Sequence, residues 1–162
     1  MGSEHPLDGT GRSLQDFSLE CIERCKPGVL PVSVHADDRG WSLMGLFAGN
    51  LTGGQVNFSV QYPGVVKAWH RHWKQTDYWC VVTGMLKVGV MSDDGRRWLT
   101  YLGEKRPAIL VIPPRLWHGA AVVGNREAGL IYHVSEVYNS AEPDEYRQPA
   151  DWRWNPWAVD HH

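Results

Sequence analysis

The sequence predicts an all-β fold, a closed or sandwiched antiparallel assembly of short strands with one short helix near the N-terminus. Three observations carry this. From residue 28 onward, short runs of alternating apolar and polar residues follow one another. They are divided by turn sequences at Asp37–Asp38–Arg39–Gly40, Tyr62–Pro63–Gly64, Thr83–Gly84, Asp93–Asp94–Gly95 and Gly124–Asn125. Convincing helical patterning is confined to residues 16–26, and Pro27–Gly28 ends it.

Residues 1–15 are expected to form a flexible N-terminal arm, and residues 16–162 a single domain. Val32 and Val34 alternate with Ser33 and His35 into the first turn. Residues 41–47 read as the next strand. Residues 50–54 form a glycine-rich loop without the pattern of a phosphate cradle. Strands are expected over 55–61, 66–72, 78–82, 85–91, 97–102, 108–112, 118–123 and 130–134. The tail from Asn139 is polar, then rich in Trp and Pro.

Composition narrows the function. Apolar residues make up 43% and charged residues 21%, ordinary for a soluble domain. Net charge is −2 and the pI about 6.4, so no polyanion-binding surface is indicated and nucleic acid is an unlikely partner class. Apolar runs long enough to span a bilayer are missing, and the first residues carry no apolar leader, so no membrane partner and a cytoplasmic location are expected. Cys21, Cys25 and Cys80 lack zinc or CxxC spacing and read as reduced structural thiols. Nine tryptophans stand out. Most read as core or contact residues, although aromatics beside polar groups also suit sugar or base stacking.

The stretch from Gly64 to Gly84, GVVKAWHRHWKQTDYWCVVTG, carries the chemistry. In a regular strand over 66–72, Val66, Ala68, His70 and His72 share one face, and Lys67, Trp69, Arg71 and Trp73 the other. Two imidazoles one pleat apart on the small-residue face point to a cavity. Asp77 and the later His118 complete a set of three imidazoles and a carboxylate, which suits Zn²⁺, Fe²⁺, Mn²⁺ or Ni²⁺. The same groups also suit a polar pocket without metal.

Gly64-x5-His70-x-His72-x4-Asp77-x6-Gly84 and Pro113-x4-His118 resemble the two motifs of the cupin superfamily, with Asp77 at the usual glutamate position and Arg115 at a glycine. That resemblance implies a jelly-roll β-barrel. A narrower one covers roughly residues 30 to 155. In order come Asp37–Asp38–Arg39–Gly40–Trp41, GVVKAWH over 64–70, IPPRLWHG over 112–119, Leu130–Ile131–Tyr132 and PDEYR over 143–147. These resemble the dTDP-4-dehydrorhamnose 3,5-epimerase family, itself a cupin barrel.

The resemblance implies proton chemistry beside a ketone, namely epimerisation at C3, C5 or both of a nucleotide-linked 4-keto-6-deoxyhexose without a cofactor. His70 matches the family's base and Tyr132 its acid. By strand alternation Tyr132 lies with Leu130 and Val134, and His133 faces away. Arg39 and Lys67 match diphosphate anchors, and Lys74, His118 and Tyr138 are further candidates for substrate contact. A homodimer is implied. The chain departs from typical members at Lys67, where they carry arginine, and at Asp77, where they carry lysine. The His72 imidazole is a further departure. Asp77 or Asp151 is the candidate for orienting the base. Two other functions stay open. One is a metal-dependent cupin enzyme acting on a small polar substrate, with His70, His72, Asp77 and His118 holding a divalent transition metal. The other is a non-catalytic sugar-binding barrel.

Overall fold

A computed structural model describes residues 2–159. In chain order the elements are β1 (Leu7–Asp8), α1 (Leu14–Arg24), β2 (Gly28–Pro31), β3 (Val34–Asp37), β4 (Gly40–Leu43), β5 (Gln55–Gln61), β6 (Val66–Arg71) and β7 (Asp77–Thr83). They continue with β8 (Met85–Met91), β9 (Arg97–Gly103), β10 (Ala108–Ile112), β11 (Trp117–Val122), β12 (Ala128–Val134) and β13 (Tyr146–Arg147). One sheet runs β1-β2-β10-β7-β12-β5 and the other β13-β6-β11-β8-β9, while β3 and β4 form a separate hairpin. The β1–β2 pair is parallel and the other pairs are antiparallel. This is a cupin jelly-roll barrel with one short N-terminal helix. Among the described residues, no helix is long and apolar enough to cross a membrane.

The sheet carrying β10, β7 and β12 is covered on both faces, which explains its nearly continuous burial. Its inner face supplies Trp79, Val81, Leu110, Ile112 and Leu130, which meet Val88, Val90, Trp98 and Leu102 from the facing sheet. Its outer face, with Tyr78, Cys80, Ile109 and Val111, receives α1 through Leu14, Phe17 and Cys21. These helix positions recur at the spacing of one buried stripe. Phe17 is fully buried, which is worth about 1.5–3 kcal/mol of transfer free energy. Ser13 starts the helix by accepting the N–H of Asp16, so the helix begins two residues before the expected position. Cys21, Cys25 and Cys80 are free thiols, and burial pushes Cys21 up to about 12 and Cys80 to about 11. Both stay protonated and serve packing.

Two expectations change. Residues 41–47 do not form one strand: β4 stops at Leu43, and turns follow through residue 51. Gly45 and Gly49 take φ of 69° and 82°, and the reversal drives Phe47 into the core beneath α1 at 2% exposure. The regular alternation expected over 66–72 is also broken. Partners shift from His118↔His70 to Ala120↔Lys67, a one-residue slip between β11 and β6. A slip of one inverts the faces, so Lys67 turns inward with His70 and His72 while Trp69 stays outside. Gly119 lies at the slip. A Cβ there would stand 2.4 Å from the Ala68 Cβ and 2.8 Å from the Lys67 carbonyl oxygen, so only glycine permits this approach.

Seven of the nine tryptophans divide between the two faces, and Trp41 and Trp73 are exposed. Trp79 and Trp98 fill the barrel. Trp69, Trp117, Trp152, Trp154 and Trp157 form a separate cluster on the outer face of the second sheet, covered by the C-terminal tail. The Trp69 indole donates to the carbonyls of Ala150 and Trp154, and Lys87 Nζ donates to those of Pro156 and Ala158 at 2.8 and 2.7 Å.

Candidate active site

The open end of the barrel encloses a cavity of about 730 Å³ between the two sheets. From β6 it receives Lys67 and His70, and from the following loop His72, Lys74 and Gln75. Asp77 and Trp79 come from β7, and Tyr132 and Val134 from β12. Tyr132 shares the inner face with Leu130 and Val134, while His133 points the other way and stacks on Tyr78. Residues 136–145 form one rim, and there Tyr138 is 65% exposed.

Four of the sequence-selected groups meet closely. The His70 and His118 ring centroids are 4.3 Å apart, and those of His72 and His118 5.6 Å. Asp77 Oδ2 lies 3.6 Å from His118 Nε2 and 3.9 Å from His72 Nε2. The ligand atoms of His72, Asp77 and His118 all lie within 4.8 Å of one another, and His70 stands outside that group. His118 is 1% exposed and sits behind the cavity wall rather than on it.

The tautomers follow from the acceptors. Nδ1 of His118 faces the Leu116 carbonyl at 3.0 Å, and Nδ1 of His72 faces the Asp144 carbonyl. A carbonyl only accepts, so each Nδ1 carries the proton. In the neutral rings both Nε2 lone pairs then face the same carboxylate oxygen. His118 Nε2 is buried without a hydrogen-bond partner. A proton or a cation among these three atoms removes that mismatch.

Three titrations are displaced. Burial lowers His70 well below 6.5, with His118 adding to the effect and Asp77 opposing it, so His70 is neutral at pH 7. Burial and the Asp77 charge raise Tyr132 above 10, so its hydroxyl keeps its proton. Burial pushes the Asp77 carboxyl upward, but His118 and His72, when they carry imidazolium charge, and a 2.6 Å hydrogen bond from Gln75 outweigh it and hold the group at about 2. The Trp79 indole donates to the other Asp77 oxygen at 3.1 Å.

Other sequence-selected residues lie elsewhere. Arg39 is at the tip of the β3–β4 hairpin, its side chain 89% exposed and paired with Asp37, and it does not line the cavity. Asp151 is exposed in the tail, whereas Asp77 lies among the imidazoles. The residues that sequence reasoning passed over are Gln75, Trp79 and Asp144. The first and last fall inside the KQTD and PDEYR segments, and Trp79 follows Asp77 at the same-face spacing. Those were the available signals.

Fold and site together define a cupin jelly-roll barrel with a polar cavity at its open end. Residues 35–146 match the model of the polysaccharide biosynthesis C-terminal domain, and the chain belongs to that family. It is 36% identical to the spore coat polysaccharide biosynthesis protein SpsL of Bacillus subtilis strain 168, over 75% of this chain and 89% of that one. It is 32% identical to a probable low-salt glycan biosynthesis epimerase of Haloferax volcanii, over 76% and 86% of the two chains. A dTDP sugar isomerase of Desulfovibrio desulfuricans G20 superposes with a TM-score of 0.71 at 24% identity, covering 82% of this chain and 89% of that one. The 4-keto-6-deoxy sugar epimerase NovW of Streptomyces spheroides gives 0.67 at 22% identity, covering 82% and 75%. These likenesses agree on the fold.

Proposed function

We propose that this chain epimerises a nucleotide-linked 4-keto-6-deoxyhexose at C3, C5 or both. The observation that carries the reading is the pairing of His70 and Tyr132 in one cavity, the first held neutral and the second held protonated at pH 7. A hydrogen α to the C4 ketone passes to His70, leaving an enolate. Tyr132 returns a proton on the opposite face of the ring. The charge on the enolate oxygen needs a positive or donor group. Lys74 and Lys67 are the cations on the cavity wall, and Asp77 stands where typical relatives carry a lysine. The names of the Haloferax and Streptomyces proteins support this substrate class. Arg39, on an exposed hairpin outside the cavity, serves as a diphosphate anchor only if a second copy brings it there, which favours a homodimer. No cofactor is required for these steps.

A second reading rests on a separate observation, the unpartnered His118 Nε2 beside Asp77 and His72. Two imidazoles with anchored Nδ1–H groups and one carboxylate fit a divalent transition metal. Such a metal supplies Lewis-acid polarisation of a carbonyl. Because His70 lies outside the three-residue group, it stays free as a base under either reading.

Incubation with a dTDP-linked 4-keto-6-deoxyhexose in D₂O tests the proposal, with label read by NMR. Deuterium entering C3 or C5, and lost in His70→Ala, supports the epimerase. No wash-in leaves a sugar-binding barrel. Elemental analysis of the purified protein decides the metal. A stoichiometric transition metal whose removal abolishes wash-in overturns the cofactor-free mechanism.

A further inference from the structure

Asp144 stands two residues before β13 and takes no part in the proton transfers above. Its polar contacts all go to the loop that builds one wall of the cavity. Oδ1 accepts the backbone N–H of Trp73 at 2.8 Å, and Oδ2 accepts those of Lys74 and Gln75 at 2.9 and 3.1 Å. Its backbone carbonyl accepts His72 Nδ1–H. One residue thus holds four consecutive positions, 72 to 75.

Those positions carry much of the polar site. His72 turns its Nε2 toward Asp77. Lys74 lines the cavity, and Gln75 donates to Asp77 Oδ1. The far end of the loop is tied independently, because Thr76 and Ser135 exchange two hydrogen bonds at 2.9 and 3.0 Å. At the near end Asp144 is joined by the Arg115 backbone N–H, which donates to the His72 carbonyl at 2.6 Å. Without the Asp144 carboxylate, three neighbouring N–H groups lose a charged acceptor together.

We propose that Asp144 is the positioning residue of this site: through one carboxylate and one carbonyl it fixes the tautomer of His72 and the placement of Lys74 and Gln75, and through Gln75 the setting of Asp77. This rests on the reading that the cavity holding His70 and Tyr132 is the reaction site. The carboxylate is committed to three backbone N–H groups, so its effect reaches the substrate through the loop.

The test uses the full-length chain, ¹⁵N-labelled, as wild type, Asp144→Ala and Asp144→Asn. The Asn variant keeps one acceptor oxygen and sets a donor against an N–H. Imidazole ¹⁵N–¹H correlations read the His72 tautomer, amide hydrogen exchange reads residues 73–75, and residues 86–90 of β8 serve as the internal control. In Asp144→Ala, protection at 73–75 falls on the order of tenfold. The backbone carbonyl of residue 144 survives the substitution, so His72 loses its single Nδ1–H tautomer through the freed loop drawing away from that carbonyl, and protection at 86–90 is unchanged. Deuterium wash-in falls about 10- to 100-fold in kcat, with KM moving less. Asp144→Asn lies between. If 73–75 loosens while the His72 tautomer and kcat stay at wild-type values, Asp144 is a structural tie only and the proposal is overturned. Loss of protection at 86–90 in both variants overturns it as well. If the wild-type chain shows no wash-in from the 4-keto sugar nucleotide, the epimerase reading falls, and the tautomer and exchange data still decide the placement of His72 and its loop.

Discussion

The two sides of β6 are built to opposite rules. On the outer side Trp69 is 1% exposed, stacked on Trp154 with centroids 5.6 Å apart, and its indole N–H is satisfied by two carbonyls. On the inner side, one residue along, His70 faces a large cavity beside an imidazole nitrogen that lacks a hydrogen-bond partner. At Trp69 the outer side commits its donor to the fold, while the inner side keeps an uncommitted acceptor at His118 Nε2. Reactive groups need unsatisfied valence and room, and a packed aromatic face supplies the rigidity that holds them.

Substitutions on the two sides should therefore separate activity from stability. The largest effect is expected for His70→Ala, which removes the proposed base. Wash-in should fall by about 10²–10⁴-fold, while thermal unfolding followed by circular dichroism shows little change. Trp69→Ala, on the opposite side of the same strand, should cost about 3–5 kcal/mol in a denaturant titration, with activity lost only as the fold is lost. A Trp69 variant with normal stability and no activity would break the contrast. Tyr132→Phe keeps the ring and removes the proposed acid. Epimer formation should drop about 10²-fold with Tm nearly unchanged, since the Tyr132 hydroxyl opens onto the cavity. The smallest effect is expected for Lys87→Met, which replaces two hydrogen bonds to the tail with apolar contact. It should cost about 1 kcal/mol and make the tail easier to cleave by protease, with wash-in rates kept.

Much of this was legible in local pattern. Residues 55–61, 85–91 and 108–112 alternate or run apolar between clear turns, and their strands lie where the pattern puts them. Tyr132 and His133 fall on opposite faces of β12, as strand alternation requires. The spacing around His70, His72 and Asp77 belongs to one stretch of chain, so its convergence was visible without a structure. What escaped has a common cause. Lys67 faces inward because of a register slip against Gly119, a partner about 50 residues away in a different strand, and no local periodicity records it. Residues 41–47 read as one strand, but only 41–43 are, because the chain beyond Leu43 is reversed by two glycines and by the pull of the core on Phe47. Asp144 binds a loop some 70 residues earlier. A carboxylate that bonds distant backbone looks in sequence like any surface acid.

The slip on β6 has a metric consequence. Along a regular strand, side chains on one face stand apart by even steps only, roughly 6.6 or 13 Å at the usual rise. At the slip, residues 67 to 70 of β6 span the two-residue interval from Ala120 to His118 on β11, so an ammonium and an imidazole three positions apart both look into the cavity about 6.6 Å apart along the strand. The barrel thereby takes up one extra residue of chain while keeping both side chains inward, and Gly119 on the neighbouring strand leaves the room for it.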